Sequence, residues 1–307
     1  MQTTANAVTS IPPFKAYVED RKYLKNVSPK TLSWFNDAWK AFGPHLEPVL
    51  ASGGRLSEGL RAAITALLDK GVRAISVNSY LTCIRAYANW LHAEGYLPEK
   101  PKVPLLKCEQ KVIETFSPEQ VQKMVAFRPK GTNQTRVHVA TCLMLDTGLR
   151  LAETLGLTLA DADFDNLVVK VTGKGNKQRL VPISNEMRRV LYRHSLKVRG
   201  PLLFGTRTGT RVTNRNFQRD FKLLCNRLGI VGLRCSPHTL RHTFAVSYLR
   251  AGGNLFYLSR VLGHTSVKTT ERYLQSVRVE DLQAVHDRLS PLAPEHLRAA
   301  RVESAMR

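Results

Sequence analysis

The sequence predicts a mainly α-helical protein with a small β-sheet, in which a small all-helical domain precedes a larger α+β domain. Three observations carry that expectation. Apolar residues recur at helical spacing along most of the 307-residue chain. Two β-branched runs, at 164–171 and 179–184, interrupt them. A proline- and lysine-rich stretch, PEKPKVPLLKCEQK at 98–111, falls where composition and charge change. The expected organisation is a helical domain at 10–100, a linker at 101–112, a larger domain at 113–290 and a tail at 291–307.

The elements follow in order. Leu32, Phe35, Trp39 and Phe42 step by 3, 4 and 3 behind the start signal Ser28-Pro29, which is one face of a helix. Residues 56–68 form a second helical pattern. Val77, Tyr80, Leu81, Ile84, Tyr87, Ala88 and Leu91 form a third, stopped by Gly95. The aromatic residues on these stripes are expected in the core, whereas Trp34 falls off the first stripe and is a candidate for exposure. In the second part, Ser117-Pro118 supplies a cap and first-turn proline for a helix to residue 126, and residues 137–145 continue the helical pattern. FDNLVVKV and RLVPIS then flank TGKGNKQ, whose two glycines and asparagine suit a hairpin turn. Helical patterns resume at 186–197, 214–227, 237–250, 256–262 and 279–289.

Lysine and arginine number 46 against 24 acidic residues, a net charge of +22 that calls for a polyanionic partner, most often nucleic acid. Residues 111–307 hold most of the excess, with 32 basic and 15 acidic side chains against 14 and 9 before them. The start, MQTTANAVTS, has neither a basic nor an apolar region of a secretory signal, and the apolar stretch at 137–145 is too short for a membrane helix. Five scattered cysteines without a CxxC pair fit a reducing compartment. The expectation is a soluble cytoplasmic protein with no membrane association.

Four short segments hold polar donors that a structural helix does not require. In TGLRLAETLGL, Arg150 and Glu153 lie at i and i+3 after Gly148. In TGKGNKQR, Lys174 stands between two glycines at a hairpin tip, without the pattern of a phosphate loop. In SPHTLRHTF, Pro237 opens a helix that puts His238 and Arg241 on one face. In LGHTSVKTTERYL, His264 follows Gly263 at a helix end and Tyr273 comes nine residues later. Cys225, Cys235, His238 and His242 give C-x9-C-x2-H-x3-H, but zinc sites pair their cysteines more closely, and no metal site is expected. Together these residues suit attack on a phosphodiester without a metal. Planar guanidinium groups clamp the non-bridging oxygens, histidines and a lysine supply hydrogen bonds and a proton, and a tyrosine hydroxyl is a nucleophile able to form a covalent phosphotyrosine.

The order Arg…Lys…His-x-x-Arg…His…Tyr, set in TGLR, GKGNK, HTLRHTFA and LGHTSVKTTERY, resembles the tyrosine recombinase (phage integrase-like) family over residues 117–277. Residues 10–100 resemble that family's helical, SAM-like core-binding domain in size, stripes and position. The resemblance implies a site-specific DNA recombinase of Xer-like or transposon type, acting on double-stranded DNA at specific recombination sites without a cofactor. It implies Tyr273 as nucleophile, Arg150 and Arg241 on the phosphate oxygens, and Lys174 as acid for the leaving 5′ oxygen. It further implies His238 as proton acceptor or donor near the nucleophile, His264 on the phosphate, and Glu153 orienting an active-site residue. Arg73, Arg85, Lys177 and Arg179 are candidate DNA contacts. Val279, Leu282, Val285 and Leu289, stepping by 3, 3 and 4, form a stripe that by resemblance docks on a neighbouring protomer, giving a homotetramer on DNA from a chain that can be monomeric in solution. A type IB topoisomerase-like enzyme that nicks and reseals one duplex, and a non-catalytic DNA-binding regulator, are the alternatives at this point.

Overall fold

The structure, a computed structural model, describes residues 13–109, 112–173 and 176–290. The chain divides into two compact units, Met1–Gln110 and Lys111–Arg307. The first unit holds α1 (Phe14–Tyr23), α2 (Pro29–Ala51), α3 (Leu56–Asp69) and α4 (Ala74–Ala93). α2 begins where Ser28-Pro29 predicts: the Ser28 hydroxyl accepts the Thr31 N–H at 3.3 Å and Pro29 occupies the first turn. The two sequence stripes meet face to face, burying Phe42, Leu46, Val77, Leu81 and Ile84 together with Leu60 of α3. α1, which sequence periodicity does not single out, closes the other end. The Phe14 ring stacks on Trp39 at 4.2 Å between centroids and meets the edge of Tyr87 at 5.0 Å. Trp34 is half-buried, its Nε1–H donating to Ser79 Oγ at 3.1 Å.

The segment expected to serve as a linker is strapped to this unit over residues 101–109. Asn78 donates from Nδ2 to the Leu106 carbonyl at 2.9 Å and accepts the Leu106 N–H at 2.8 Å, so one side chain answers both backbone groups as a neighbouring strand would. Val103 is buried in the core, and its carbonyl accepts from Arg85 Nε at 3.2 Å. Arg85, expected among the DNA contacts, thus holds the backbone of the strap at Val103, whereas Arg73, just before α4, is exposed.

The second unit holds α5 (Pro118–Ala126), α6 (Gly131–Thr147), α7 (Leu151–Thr154), β1 (Ala162–Asp163), β2 (Val168–Thr172), β3 (Gln178–Pro182), α8 (Asn185–Ser195), α9 (Asn214–Arg227), α10 (Pro237–Arg250), α11 (Leu255–Leu262), α12 (Lys268–Glu271) and α13 (Val279–Leu289). The three strands form an antiparallel sheet in sequence order, with Val169 opposite Val181 and Val171 opposite Arg179. Val169, Val171 and Val181 are buried, and period two places Arg179 on the same inward face as Val181. α6 runs through the centre, packed against α5, α8, α9 and α10, with Leu143 and Met144 buried among Leu155, Phe217, Phe221 and Leu240. α13 lies partly against its own unit: Arg250 pairs with Asp281 at 3.3 Å and Arg288 donates to the Ala251 carbonyl at 3.0 Å, while Val279, Leu282 and Leu289 stay exposed.

Replacing Asn78 with alanine removes two backbone partners at a half-buried position. It is expected to lower stability by about 1–3 kcal/mol in urea denaturation and to open Lys102 and Lys107 to trypsin, measured by limited proteolysis.

Candidate active site

Two helix ends build the site. α6 stops at Gly148 in the left-handed region (φ 65), and α11 stops at Gly263 in the same conformation (φ 66). Each end leaves carbonyls without helical partners and carries the negative end of a helix dipole. Arg241, on α10 and only 5% exposed, answers both: Nη1 donates to the Gly148 carbonyl at 2.7 Å and Nη2 to the Leu262 carbonyl at 2.8 Å. Burial pushes its guanidinium down to about 10, with Arg150 adding to the effect, and it remains a cation at neutral pH.

Neither glycine has room for a side chain. A Cβ on Gly148 would stand 2.3 Å from Phe244 Cδ1, and one on Gly263 would stand 2.8 Å from Arg179 Cζ. Two residues past Gly148, Arg150 caps the four-residue α7. Its backbone N–H and its Nη1 donate to Glu153 Oε2 and Oε1, each at 2.9 Å. Arg179 reaches the same buried carboxylate from β3 at 3.1 and 2.9 Å and gives its Nε–H to the Val261 carbonyl at 3.0 Å. Burial pushes the Glu153 carboxyl up, but the hydrogen bonds from Arg179 and Arg150 outweigh it and hold the group below the usual carboxylate value. Arg179, predicted as a DNA contact, is therefore an inward brace of this carboxylate, because its strand position faces the core. Lys177 is exposed.

The closing turn of α11, with the His264 N–H bonded to the Ser259 carbonyl at 3.0 Å, sets His264 against Arg241. Arg241 Nη2 lies 2.9 Å from His264 Nε2. A guanidinium only donates, so Nε2 is the acceptor and Nδ1 carries the proton, donated to Thr270 Oγ1 at 2.8 Å. Burial, with Arg241 and Arg150 nearby, pushes the imidazole down to about 4. Tyr273 follows α12 and is only 2% exposed, packed with Ala245, Val246, Leu258 and Leu262. Its hydroxyl lies 3.0 Å from His242 Nδ1. Burial raises the phenol, and the Arg241, Arg272 and Arg150 cations oppose that rise without cancelling it. His238 is exposed one turn earlier on α10, its ring centroid 6.5 Å from that of His242.

The structure thus gathers Arg150, Glu153, Arg241, His264 and Tyr273 through shared partners, with His238 on the neighbouring helix turn. Lys174 lies outside the described residues. Sequence reasoning missed Thr270 and the role of Arg179, and weighed His242 only as a metal ligand. Its i+4 spacing from His238 was the available sign that both share a face. Among the described residues, no group of three or more His, Cys, Asp or Glu is placed to hold a metal ion, and no helix is long and apolar enough to cross a membrane. Chemically, the arrangement offers two guanidinium cations, two neutral imidazoles and a phenol close together, groups suited to an anion.

The chain belongs to the phage integrase family, whose model matches residues 114–279. It is 30% identical over 251 residues to tyrosine recombinase XerC of Thermodesulfovibrio yellowstonii, covering 77% of this chain and 82% of that protein. It is 31% identical over 233 residues to tyrosine recombinase XerD of Pseudomonas aeruginosa, covering 71% and 78%. The fold matches that of the Tn1549 transposon integrase in complex with a circular intermediate DNA, with a TM-score of 0.70 at 18% identity over 90% of this chain and 98% of that one.

Two outcomes are expected. Gly229, also left-handed (φ 66) but with open space where a Cβ would go, isolates the backbone cost. Gly229→Ala should destabilise by about 1–2 kcal/mol and Gly148→Ala by roughly 1–3 kcal/mol more, in urea denaturation. Second, His242 and His264 have folded values pushed down from 6.5 to about 4. The unfolded chain therefore binds more protons between those values, and stability is lost as pH falls from 6.5 towards 4. Melting temperature should decline over that window, and a His264→Gln variant should show a shallower decline.

Proposed function

We propose that this chain is a site-specific DNA recombinase that cleaves and rejoins strands through a 3′-phosphotyrosine intermediate on Tyr273. The observation that carries the reading is the buried Tyr273 hydroxyl held beside Arg241, whose guanidinium is already fixed by the two helix ends. In this reading Arg150 and Arg241 hold the non-bridging oxygens of the scissile phosphate, where charge grows in the transition state. Their prior fixation by Glu153, Gly148 and Leu262 means that no reorganisation is required as that charge develops. Lys174 protonates the leaving 5′ oxygen, His264 adds a hydrogen bond, and His238 takes or gives a proton near the nucleophile. Glu153 holds Arg150 in place. The partner is double-stranded DNA bearing a specific site, attracted by the +22 charge. Residues 10–100 serve as a core-binding domain and 113–290 as the catalytic domain, with 291–307 as a tail. Assembly is as a homotetramer on DNA, in the cytoplasm, with no cofactor.

The test is a library of nicked duplexes randomised in sequence, incubated with the protein in the presence of chelator. A denaturation-resistant protein–DNA adduct is expected, and sequencing the attached strands gives the site. Tyr273→Phe should abolish the adduct and retain binding, while Arg241→Ala should slow its formation by at least about 10²–10³-fold. Lys174→Ala should be rescued by a 5′-bridging phosphorothiolate, whose leaving group needs no proton. An adduct formed by Tyr273→Phe at normal yield overturns the nucleophile.

A further inference from the structure

The hydroxyl of Tyr273 has to lose its proton when it attacks, and the contacts around it say where that proton points. Arg241, which only donates, hydrogen-bonds the hydroxyl, so the oxygen turns a lone pair to it. The second partner, 3.0 Å away, is His242 Nδ1. A hydroxyl between a donor-only cation and an imidazole nitrogen directs its proton to the nitrogen. His242 then presents Nδ1 as the acceptor and carries its own proton on Nε2.

We infer that the proton transfer near the nucleophile given above to His238 falls instead to His242, which lies outside the Arg–Lys–His–Arg–His–Tyr set: His242 is the catalytic group that accepts the Tyr273 proton during strand cleavage and returns it during rejoining. This rests on Tyr273 being the nucleophile. In cleavage the Oη–phosphorus bond forms and the bond from phosphorus to the 5′ oxygen breaks. The phenolic proton passes to Nδ1, giving an imidazolium, and the 5′ oxygen departs with a proton from the acid on the far side of the phosphate. In rejoining the 5′ hydroxyl attacks phosphorus and gives its proton back to the group that acted as acid in cleavage, the Oη–phosphorus bond breaks, and the imidazolium returns its proton to Oη. A histidine one residue past Arg241 on α10 fits this task, since the helix that fixes the clamp also fixes the acceptor.

The electrostatics are set to respond to the substrate. Burial first, and then Arg272, His238 and Arg241, push the His242 imidazole down to about 4, so it is neutral and able to accept in the DNA-free protein. Arg272 also stands over the Tyr273 ring at 5.9 Å, so its charge and that of Arg241 act on the nucleophile as well. An arriving phosphate neutralises part of that positive field, so the basicity of His242 rises when the nucleophile is in place to use it.

Single-turnover adduct formation, measured against pH on the sequence recovered from the nicked library, tests the assignment. His242→Asn keeps an acceptor atom near the Nδ1 position without its basicity. It should bind DNA as the parent does and form the adduct about 10²–10⁴-fold more slowly at neutral pH. Its rate should climb about tenfold per pH unit from pH 7 to 9, as hydroxide replaces the lost base, while the parent rate stays nearly flat. A His242→Asn rate and pH profile matching the parent would overturn the inference, leaving the ring a holder of the hydroxyl only. ¹⁵N NMR of the DNA-free protein is a second arm that requires no variant at 242. The Nε2–H tautomer is expected, with the Nδ1 resonance shifted by Tyr273→Phe, and an Nδ1–H tautomer would sink the proposal. An adduct that survives Tyr273→Phe marks failure of the nucleophile instead, whatever His242 does.

Discussion

A buried guanidinium must have its N–H groups answered and its charge offset, or its burial costs several kcal/mol. Arg241 is answered by the carbonyls at the C-terminal ends of α6 and α11, where two helix dipoles present their negative poles. That arrangement ties three helices to one point, because α10 carries the arginine and the other two carry its acceptors. Among the described residues no carboxylate forms an ion pair with this cation, and Glu153 acts on its charge only from further away. A charge held by backbone dipoles stays available to an incoming anion.

The glycines at 148 and 263 make this contact geometry attainable. Both turn the chain into the left-handed region, and both lie so close to neighbouring side chains that a methyl group would collide. Past the first comes Arg150 and past the second comes His264, so the same turns that expose the carbonyls deliver the next functional side chains. Glu153 then closes the layer from behind. It takes hydrogen bonds from Arg150 and Arg179, and the single buried carboxylate positions one arginine at the site while anchoring the sheet through the other.

Within this frame the charge states divide the work. The arginines stay cationic and the two imidazoles that touch them or the phenol stay neutral, because burial and neighbouring cations both oppose their protonation. Neutral imidazoles can accept as well as donate, which a reversible transfer between tyrosine and sugar hydroxyl requires. The positive field that keeps them neutral is also the field that draws a phosphate in, so substrate arrival and the change in their basicity are linked.

Much of this was legible in the sequence. Helix stripes, the caps at Ser28 and Ser117, the hairpin and the local settings of Arg150, His238, Arg241, His264 and Tyr273 all depend on spacing within a single element, and period 3.6 or 2 reads that directly. The inward turn of Arg179 was missed: the sequence marked it as a DNA contact, and only the buried carboxylate of Glu153, on another element, gives its charge a partner inside. Packing alone decided the rest. Residues 101–109 look like a linker until Asn78 supplies both missing hydrogen bonds, and His242 looks like an idle neighbour of Arg241 until Tyr273, 31 residues on, is folded against it. The sequence by itself determined which side chains share a face of one helix or strand, since that follows from backbone geometry. Which faces meet, and so which nitrogen receives the tyrosine proton, depends on how α10, α11 and α12 fill a common core, and that only the tertiary structure decides.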